Sequence, residues 1–305
     1  MKFSEIARQL DKHPTTLRLG GSSSIDISEL NQNLMAHTTT LTYLDLDGCQ
    51  LNNGSLEQLA TSLAQLEKLE TLNLSANKFT DIGLSKITLP KSCRTLILEG
   101  TPIGDAGIDF ISTQLPNLEV LWVRKCKLTD ASIDAILQFR KLKKLWFVLD
   151  NSFTERGIKL LAKKIKELPL ETLSLRCLDV TKTSPEVVAE FLDNLPSSIK
   201  ELYISSSSVI GQNECCVNAL IRLIRKPSSL QFLEMRTLLI RDENFAQRIM
   251  KALKESDLSA DFTGRNPAIL DLRQKQLCSP VEHERSQQEE RLREQPLKTD
   301  CVFEL

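Results

Sequence analysis

One spacing of apolar side chains recurs along this chain and constrains its fold more than any other feature. Residues 118–128 read LEVLWVRKCKL, which places Leu118, Leu121, Val123 and Leu128 around a cysteine at position 126. Related stretches, one of them carrying a single inserted residue, begin at Leu41, Leu69, Cys93, Leu118, Leu142, Leu170, Ile199 and Leu230. Weaker copies flank them at residues 17–25 and 270–277. Eight ordered copies indicate an internal structural repeat.

The spacing within a copy predicts a short strand that ends in a turn. Alternate apolar side chains of a strand point to one side, so the leucines face inward and the intervening residues face outward. A polar or cysteine side chain after the strand turns the chain and bonds to nearby backbone. Successive copies start 24 to 31 residues apart, which leaves room for a full helix after each strand. A single unit cannot bury its apolar face, so we expect the units to stack into one continuous α/β core.

Four of the predicted helices begin with a similar pair of residues. The pairs are Thr80–Asp81, Gly104–Asp105, Thr129–Asp130 and Thr154–Glu155. The first residue of each pair is predicted to be the N-cap, and the acidic residue would favour the positive end of the helix dipole.

These units resemble the ribonuclease-inhibitor-like class of leucine-rich-repeat proteins, with T-D-x-G at Thr80 to Gly83 and variants at Gly104 to Gly107 and Thr154 to Gly157. The resemblance covers about residues 14–278. It implies a curved α/β solenoid with parallel strands on the concave face, helices on the convex face and a protein as the binding partner. We therefore expect an N-terminal cap with a degenerate repeat over residues 1–40, the repeat array over 41–278 and a flexible tail over 279–305.

Composition excludes several other functional classes. The formal net charge of the 305 residues is -1, which argues against bulk nucleic-acid binding. No eighteen-residue apolar run or signal-peptide pattern occurs, so we expect a soluble monomer without stable membrane insertion. The eight cysteines show no C-x-x-C pair, which favours buried thiols in a reducing compartment over a metal or redox site.

Catalytic patterns are also missing from the sequence. The three histidines lie at positions 13, 37 and 283, away from the eight repeats, and no phosphate-binding glycine loop occurs. We therefore predict a non-enzymatic interaction protein without a cofactor. The alternative is a regulator that activates a GTPase, since leucine-rich-repeat GTPase activators resemble this fold. Its candidate residues form one column two positions beyond the central outward row: Arg124, Arg176, Arg236 and Arg273.

The C-terminal segment differs from the array in composition. Residues 279–300 are rich in charge and poor in apolar side chains, which is typical of a solvated tail. Glu289, Glu290 and Glu294 precede the apolar end CVFEL, which contains Phe303. This arrangement resembles the translocation signal of the leucine-rich-repeat effectors of Legionella that the Dot/Icm type IV secretion system delivers into the host cytoplasm. A plain tail and a carboxyl-terminal ligand for a PDZ groove are the alternatives.

The outward positions of the strands hold the candidate partner-binding residues. The central outward row is predicted to contain both tryptophans of the chain, Trp122 and Trp146, which would form an exposed platform on neighbouring strands. Arg124 and Lys144 beside the platform would suit a partner with acidic groups around an apolar knob. The other candidates are Tyr43, Asp45, Arg176, Tyr203, Glu234 and Arg236. In the alternative interpretation the two rings cover each other, or Val120 and Val148, and only stiffen the sheet.

Overall fold

In the part of the chain that the structure describes, ten strands form a single parallel sheet whose strand order follows the order of the sequence. The structure is a computed structural model, and it describes residues 3–22, 25–147, 153–175, 183–205, 209–226, 230–236 and 240–261. The strands are β1 Thr16–Arg18, β2 Tyr43–Asp45, β3 Thr71–Asn73, β4 Thr95–Ile97, β5 Val120–Val123, β6 Lys144–Phe147, β7 Thr172–Leu175, β8 Glu201–Ser205, β9 Phe232–Arg236 and β10 Ser259–Asp261.

A helix precedes the first strand, and the segment between each pair of successive strands contains another. The helices are α1 Phe3–Lys12, α2 Ile27–Ala36, α3 Asn53–Ala64, α4 Asp81–Leu84, α5 Asp105–Gln114, α6 Ser132–Ile136, α7 Glu155–Lys164, α8 Pro185–Asp193, α9 Glu214–Arg225 and α10 Glu243–Lys254. This alternation confirms the predicted α/β solenoid, with parallel strands on the concave face and helices on the convex face. Within the described ranges, no helix is long and apolar enough to cross a membrane.

The core follows from the register of the strands. Leu44, Leu72, Leu96, Leu121 and Leu145 pair in sequence across β2 to β6, and these side chains are at most 1% exposed. Equivalent positions of successive units therefore stack directly on one another. Each unit buries its inward leucines against its neighbours, as the repeat spacing predicts.

The turn after each strand is tied to the preceding unit. Asn77 donates through Nδ2 to the carbonyl oxygen of Leu46 at 2.8 Å, and the Cys126 thiol donates to that of Leu98 at 3.3 Å. These bonds confirm the predicted role of the residue that follows the strand. The residue just before it has a positive φ in four units, where it is Gly48, Ala76, Gly100 or Lys125.

Helix length varies with the spacing of the units. Both units with a 24-residue interval have very short helices, namely the four-residue α4 and the five-residue α6. By contrast, α3 has 12 residues and lies in a 28-residue unit. The prediction of a full helix after each strand is therefore wrong for two units, because the shortest intervals leave only about one turn.

Thr80, Gly104 and Thr154 occupy the N-cap positions of their helices as predicted, but none of them caps its helix with a side-chain hydrogen bond. Thr129 is not the N-cap of α6, which begins beyond it. Instead, Thr129 donates to the carboxylate of Asp105 in the preceding unit, through its amide at 2.8 Å and its hydroxyl at 2.6 Å.

This contact repeats along the convex side and forms a chain of links that we call the convex ladder. In each link the side chain at a helix start accepts from the backbone amide at the next helix start. The acceptor and donor pairs are Asn53 and Thr80, Asp81 and Gly104, Asp105 and Thr129, Asp130 and Thr154, and Glu155 and Ser184. The polar pairs therefore connect units, and their carboxylates also lie in the first turn of most of these helices.

Candidate functional site

The register of the sheet produces a row of outward side chains, one from each strand. Backbone pairing aligns Trp122 with Trp146, Trp146 with Ser174 and Ser174 with Tyr203. The described side chains of the central row are Arg18, Asp45, Asn73, Ile97, Trp122, Trp146, Ser174, Tyr203 and Glu234, and the backbone of Asp261 pairs with Glu234 in register. The register confirms the predicted row over its eight positions from Asp45 to Glu234.

The two tryptophan rings contact each other and are less exposed than predicted. Their centroids are 4.4 Å apart with an interplanar angle of 41°. Trp146 is only 5% exposed, and Trp122 is half-buried. The exposed two-ring platform is therefore wrong for Trp146, because strands at sheet spacing bring two large rings into mutual contact. The Trp122 indole Nε1 is buried and has no hydrogen-bond acceptor within the described residues.

The outward row is more deeply buried toward the C-terminal strands. The Tyr203 ring lies 5.3 Å from the ring of Phe232, and these side chains are 1% and 2% exposed. Ser174 is 1% exposed, and Glu234 is 0% exposed. Trp146, Tyr203 and Phe232 form one apolar cluster, against which Val120 and Trp122 pack. The sequence left open the alternative that the tryptophan rings cover each other, or Val120 and Val148. The structure shows such contacts at Val120, while Val148 lies outside the described residues.

The N-terminal part of the row is polar and keeps more contact with solvent. The Asp45 carboxylate accepts from Nδ2 of Asn73 at 2.9 Å and from the amide of Asp47 at 3.0 Å. The Arg18 guanidinium lies 5.2 Å from the centre of the half-buried Tyr43 ring. Burial, followed by the charge of Asp45, raises the pKa of Tyr43 to about 12. Burial, with a smaller contribution from the charge of Asp47, also raises the pKa of Asp45.

Of the predicted cationic residues, Arg124 lies near a carboxylate of this chain, and Lys144 is half-buried. The side chains of the others lie outside the described residues. Arg124 Nε is 3.8 Å from Glu99 Oε1, and Lys125 Nζ is 4.0 Å from the same oxygen. Lys144 is half-buried beside Val120 in the register of β5 and β6. Arg124 therefore faces a carboxylate of its own chain, which weakens the expected match to an acidic partner.

Some candidate residues fall outside the described region. Arg176, Arg273 and the predicted secretion-signal residues Glu289, Glu290, Glu294 and Phe303 all lie there. The backbone of Arg236 pairs with Ser205 in β9, while its side chain is outside the description. Of the four arginines proposed for GTPase regulation, only Arg124 is fully described.

Sequence reasoning missed Asp47, Glu99 and Phe232. Asp47 and Glu99 lie two residues beyond the central row, just after β2 and β4 end, so the same alternation extended past the strands would have identified them. Phe232 lies two residues before Glu234 on the same face. All three positions were available from the repeat register.

Burial suppresses the reactivity of three cysteine thiols in the described part of the chain. It raises the pKa values of Cys49, Cys93 and Cys216 to about 12 each. A thiol with so high a pKa holds almost no thiolate at neutral pH. Among the described residues, no group of three or more His, Cys, Asp or Glu side chains could hold a metal ion.

Comparisons with known proteins point to one group of repeat proteins. The Leucine Rich repeat family model matches residues 37–60 and 65–87. Leucine-rich repeat-containing protein 73 of rat and of human are each 22% identical to the chain over 242 residues, covering 64% of this chain and 76% of theirs. The crystal structure of the leucine-rich repeat-containing protein LegL7 from Legionella pneumophila is similar with a TM-score of 0.50 and 16% identity. That match covers 87% of this chain and 91% of LegL7.

Proposed function

Because this chain is a leucine-rich-repeat protein in its sequence matches and in its fold, we propose that it is a non-enzymatic scaffold that binds a partner protein on its concave face. The supporting observation is the outward face of β2 to β5, where Tyr43, Ile97 and Trp122 combine apolar surface with partial exposure. Half-buried aromatic side chains on an open sheet are typical of interface hot spots. Proteins of this group generally act by binding other proteins, which agrees with this assignment.

Trp122 is the residue on which the proposal is best tested. A partner would first be isolated from a eukaryotic lysate by affinity purification and then purified for a direct binding measurement. We expect Trp122→Ala to weaken binding by about 2 kcal/mol or more. Trp146→Ala is unsuitable, because removing a buried ring costs about 3–5 kcal/mol of folding stability.

Ile82 provides the matched control for Trp122. It is an apolar side chain on α4 that is 68% exposed on the convex side. We expect Ile82→Ala to leave partner affinity unchanged. If Ile82→Ala lost affinity and Trp122→Ala did not, the partner would bind the helical face and the proposal would fail.

We also propose that the protein is a bacterial effector delivered into a host cell, where its partner is a host protein. The support is the glutamate-rich segment with Glu289, Glu290 and Glu294, followed by Phe303 near the end of the sequence. A reporter fusion tests this proposal in a strain with an active type IV secretion system. Removing residues 280–305 should abolish delivery, whereas undiminished delivery would exclude the signal.

A further inference from the structure

The outward face is not equally accessible along the array. The outward residues of β6 to β9 in the central row, Trp146, Ser174, Tyr203 and Glu234, are all at most 5% exposed. In the central row of β2 to β5, Asp45 is 8% exposed, whereas Asn73, Ile97 and Trp122 are half-buried, as is Tyr43 at the preceding outward position of β2. The outward side chains of Tyr43, Asn73, Ile97 and Trp122 therefore keep surface that a partner can contact. We call this surface the accessible face.

A second outward row borders the accessible face where the strands end. Backbone amides of neighbouring turns donate to the carbonyl oxygens of Asp47, Ser75, Glu99 and Arg124 at 2.7 to 2.9 Å. These bonds align the four residues from one turn to the next. Ser75 lies between the two acidic positions and donates through its hydroxyl to Oδ1 of Asn73 at 2.7 Å, which places it on the outward side.

Among the described residues, the two carboxylates of this row differ in how they are neutralised. The Asp47 side chain makes no hydrogen bond or ion pair within the part of the chain that the structure describes. Burial and the nearby Glu99 carboxylate raise the pKa of Asp47. Glu99 itself has only loose ion pairs, at 3.8 Å to Arg124 and 4.0 Å to Lys125. A cation placed over Ser75 would therefore relieve an existing repulsion between two acidic groups.

Apolar surface lies directly beside these carboxylates. Ile97 is two residues before Glu99 on β4, and its register partner on β5 is Trp122. Both side chains are half-buried, so each has surface left to cover. Lysine and arginine side chains combine an aliphatic stem with a charged end, and they commonly lay that stem along apolar surface. The accessible face offers the matching arrangement of an apolar floor with an acidic edge.

We propose that the partner docks on the accessible face through an extended segment that carries a lysine or arginine side chain next to a large apolar side chain. The cationic group binds between Asp47 and Glu99, above Ser75. The apolar side chain packs against Ile97 and Trp122. This assignment rests on the proposed protein-binding function and adds the chemistry of the partner to it.

The test is a selection from a random library of displayed twelve-residue peptides with the complete protein as the target. We expect enriched peptides to contain Lys or Arg within two positions of a large apolar residue. A synthetic copy of one enriched peptide would then be titrated against variants. Asp47→Lys should weaken its binding at least about tenfold, and Asp47→Asn should weaken it less.

Glu57→Lys is the matched control, because it makes the same change in charge at an exposed position on α3. It should change the affinity of the peptide less than about twofold. Replacing the peptide's Lys or Arg with Glu should remove binding to the wild type and partly restore it to Asp47→Lys. This charge exchange identifies direct contact, which a merely misfolded variant could not reproduce.

Several results would overturn the inference. They are enrichment of acidic peptides, no enrichment, or equal losses for Asp47→Lys and Glu57→Lys. If a partner protein still lost affinity with Trp122→Ala in any of these cases, the binding function would stand and only the cationic chemistry would be wrong. If both experiments failed, the concave face would not be the binding face.

Discussion

The N-terminal and C-terminal units are joined to their neighbours by different interactions on the convex side. From α3 to the start of α8, the convex ladder uses carboxylate or amide oxygens that accept from backbone amides, as Asp105 does from Thr129. In the C-terminal units, ion pairs link the helices, such as Arg222 with Asp193 at 2.7 Å and Arg225 with Glu255 at 2.9 Å. The side chains of these four residues are all at least 40% exposed.

The hydrogen bonds of the convex ladder and the exposed ion pairs stabilise the fold to different degrees. A partly buried carboxylate that accepts two hydrogen bonds leaves unsatisfied donors when it is removed. An exposed ion pair gains little energy, because water and salt screen it. We therefore expect the convex ladder to determine how firmly the N-terminal units stack, and the ion pairs of the C-terminal helices to add little.

The largest effect should come from a methyl group added inside the convex ladder. A Cβ at Gly157 would lie 2.1 Å from Oδ1 of Asp130, so Gly157→Ala must displace that link. We expect a loss of about 3 kcal/mol in the free energy of unfolding, measured by urea denaturation. Gly54→Ala is the control, since its Cβ would be 3.4 Å from the nearest atom and alanine favours a helix. Equal losses for both variants would contradict the packing argument.

Removing one acceptor from each half tests the comparison directly. Asp105→Ala removes both hydrogen bonds from Thr129, and we expect it to cost about 2 kcal/mol of folding stability. Asp193→Ala removes both hydrogen bonds from Arg222 and should cost about 0.5 kcal/mol, a loss that shrinks in high salt. Denaturation curves at low and high ionic strength measure both quantities. A salt-sensitive cost at Asp105 would reverse the assignment.

A smaller effect, a gain in the free energy of unfolding, is expected at a turn of the N-terminal half. Ala76 is exposed and has a φ of 50°, a conformation that a side chain disfavours. Ala76→Gly should therefore raise the free energy of unfolding by about 0.5–1 kcal/mol. At the equivalent position of the next unit, Gly100 has a φ of 71°, and Gly100→Ala should lower stability by a similar amount. Thermal unfolding of the two variants should shift in opposite directions.

The smallest effect concerns the partly buried carboxylate of Asp47. Because the pKa of Asp47 is raised in the folded state, the folded protein binds a proton at a higher pH than the unfolded chain does. Ionised Asp47 therefore lowers stability as the pH rises through its folded pKa. Asp47→Asn should raise the melting temperature by a few degrees at most at pH 7, and this gain should vanish below about pH 4. A gain that persisted at low pH would show that charge is not its cause.

The fold was predictable because it depends on spacing, whereas the helix starts depend on contacts between units. The positions of Leu121, Val123 and Cys126 identify a strand and a turn without further information. Nothing in the local pattern of Thr129–Asp130 shows whether Thr129 caps its own helix or donates to Asp105. That choice is decided by the preceding unit, whose distance and orientation exist only after the units have stacked.

The candidate site was predictable in register but not in exposure. Alternation along the strands placed Trp122 and Trp146 in one row, as the pairing of β5 with β6 shows. Exposure depends on how close neighbouring side chains come across a curved sheet. The amino-acid sequence does not give the distance between neighbouring side chains, so it predicts Trp146 and Tyr203 at the surface. The charge of the accessible face was also missed, because Asp47 and Glu99 lie past the ends of the strands.

The convex ladder has a direction, since in each of its five described links the acceptor lies in one unit and the donor in the next. Asp81 accepts from the backbone amide of Gly104, and Thr129 donates through its backbone amide to Asp105. Deleting residues 93–117 would therefore leave Asp81 facing Thr129, with an acceptor and a donor that still match. Such a chain would lose one unit, and the two units that become neighbours would still form the hydrogen bond of the convex ladder. The number of units could thus change by whole steps, which would adjust the width of the binding surface without redesign of the junctions.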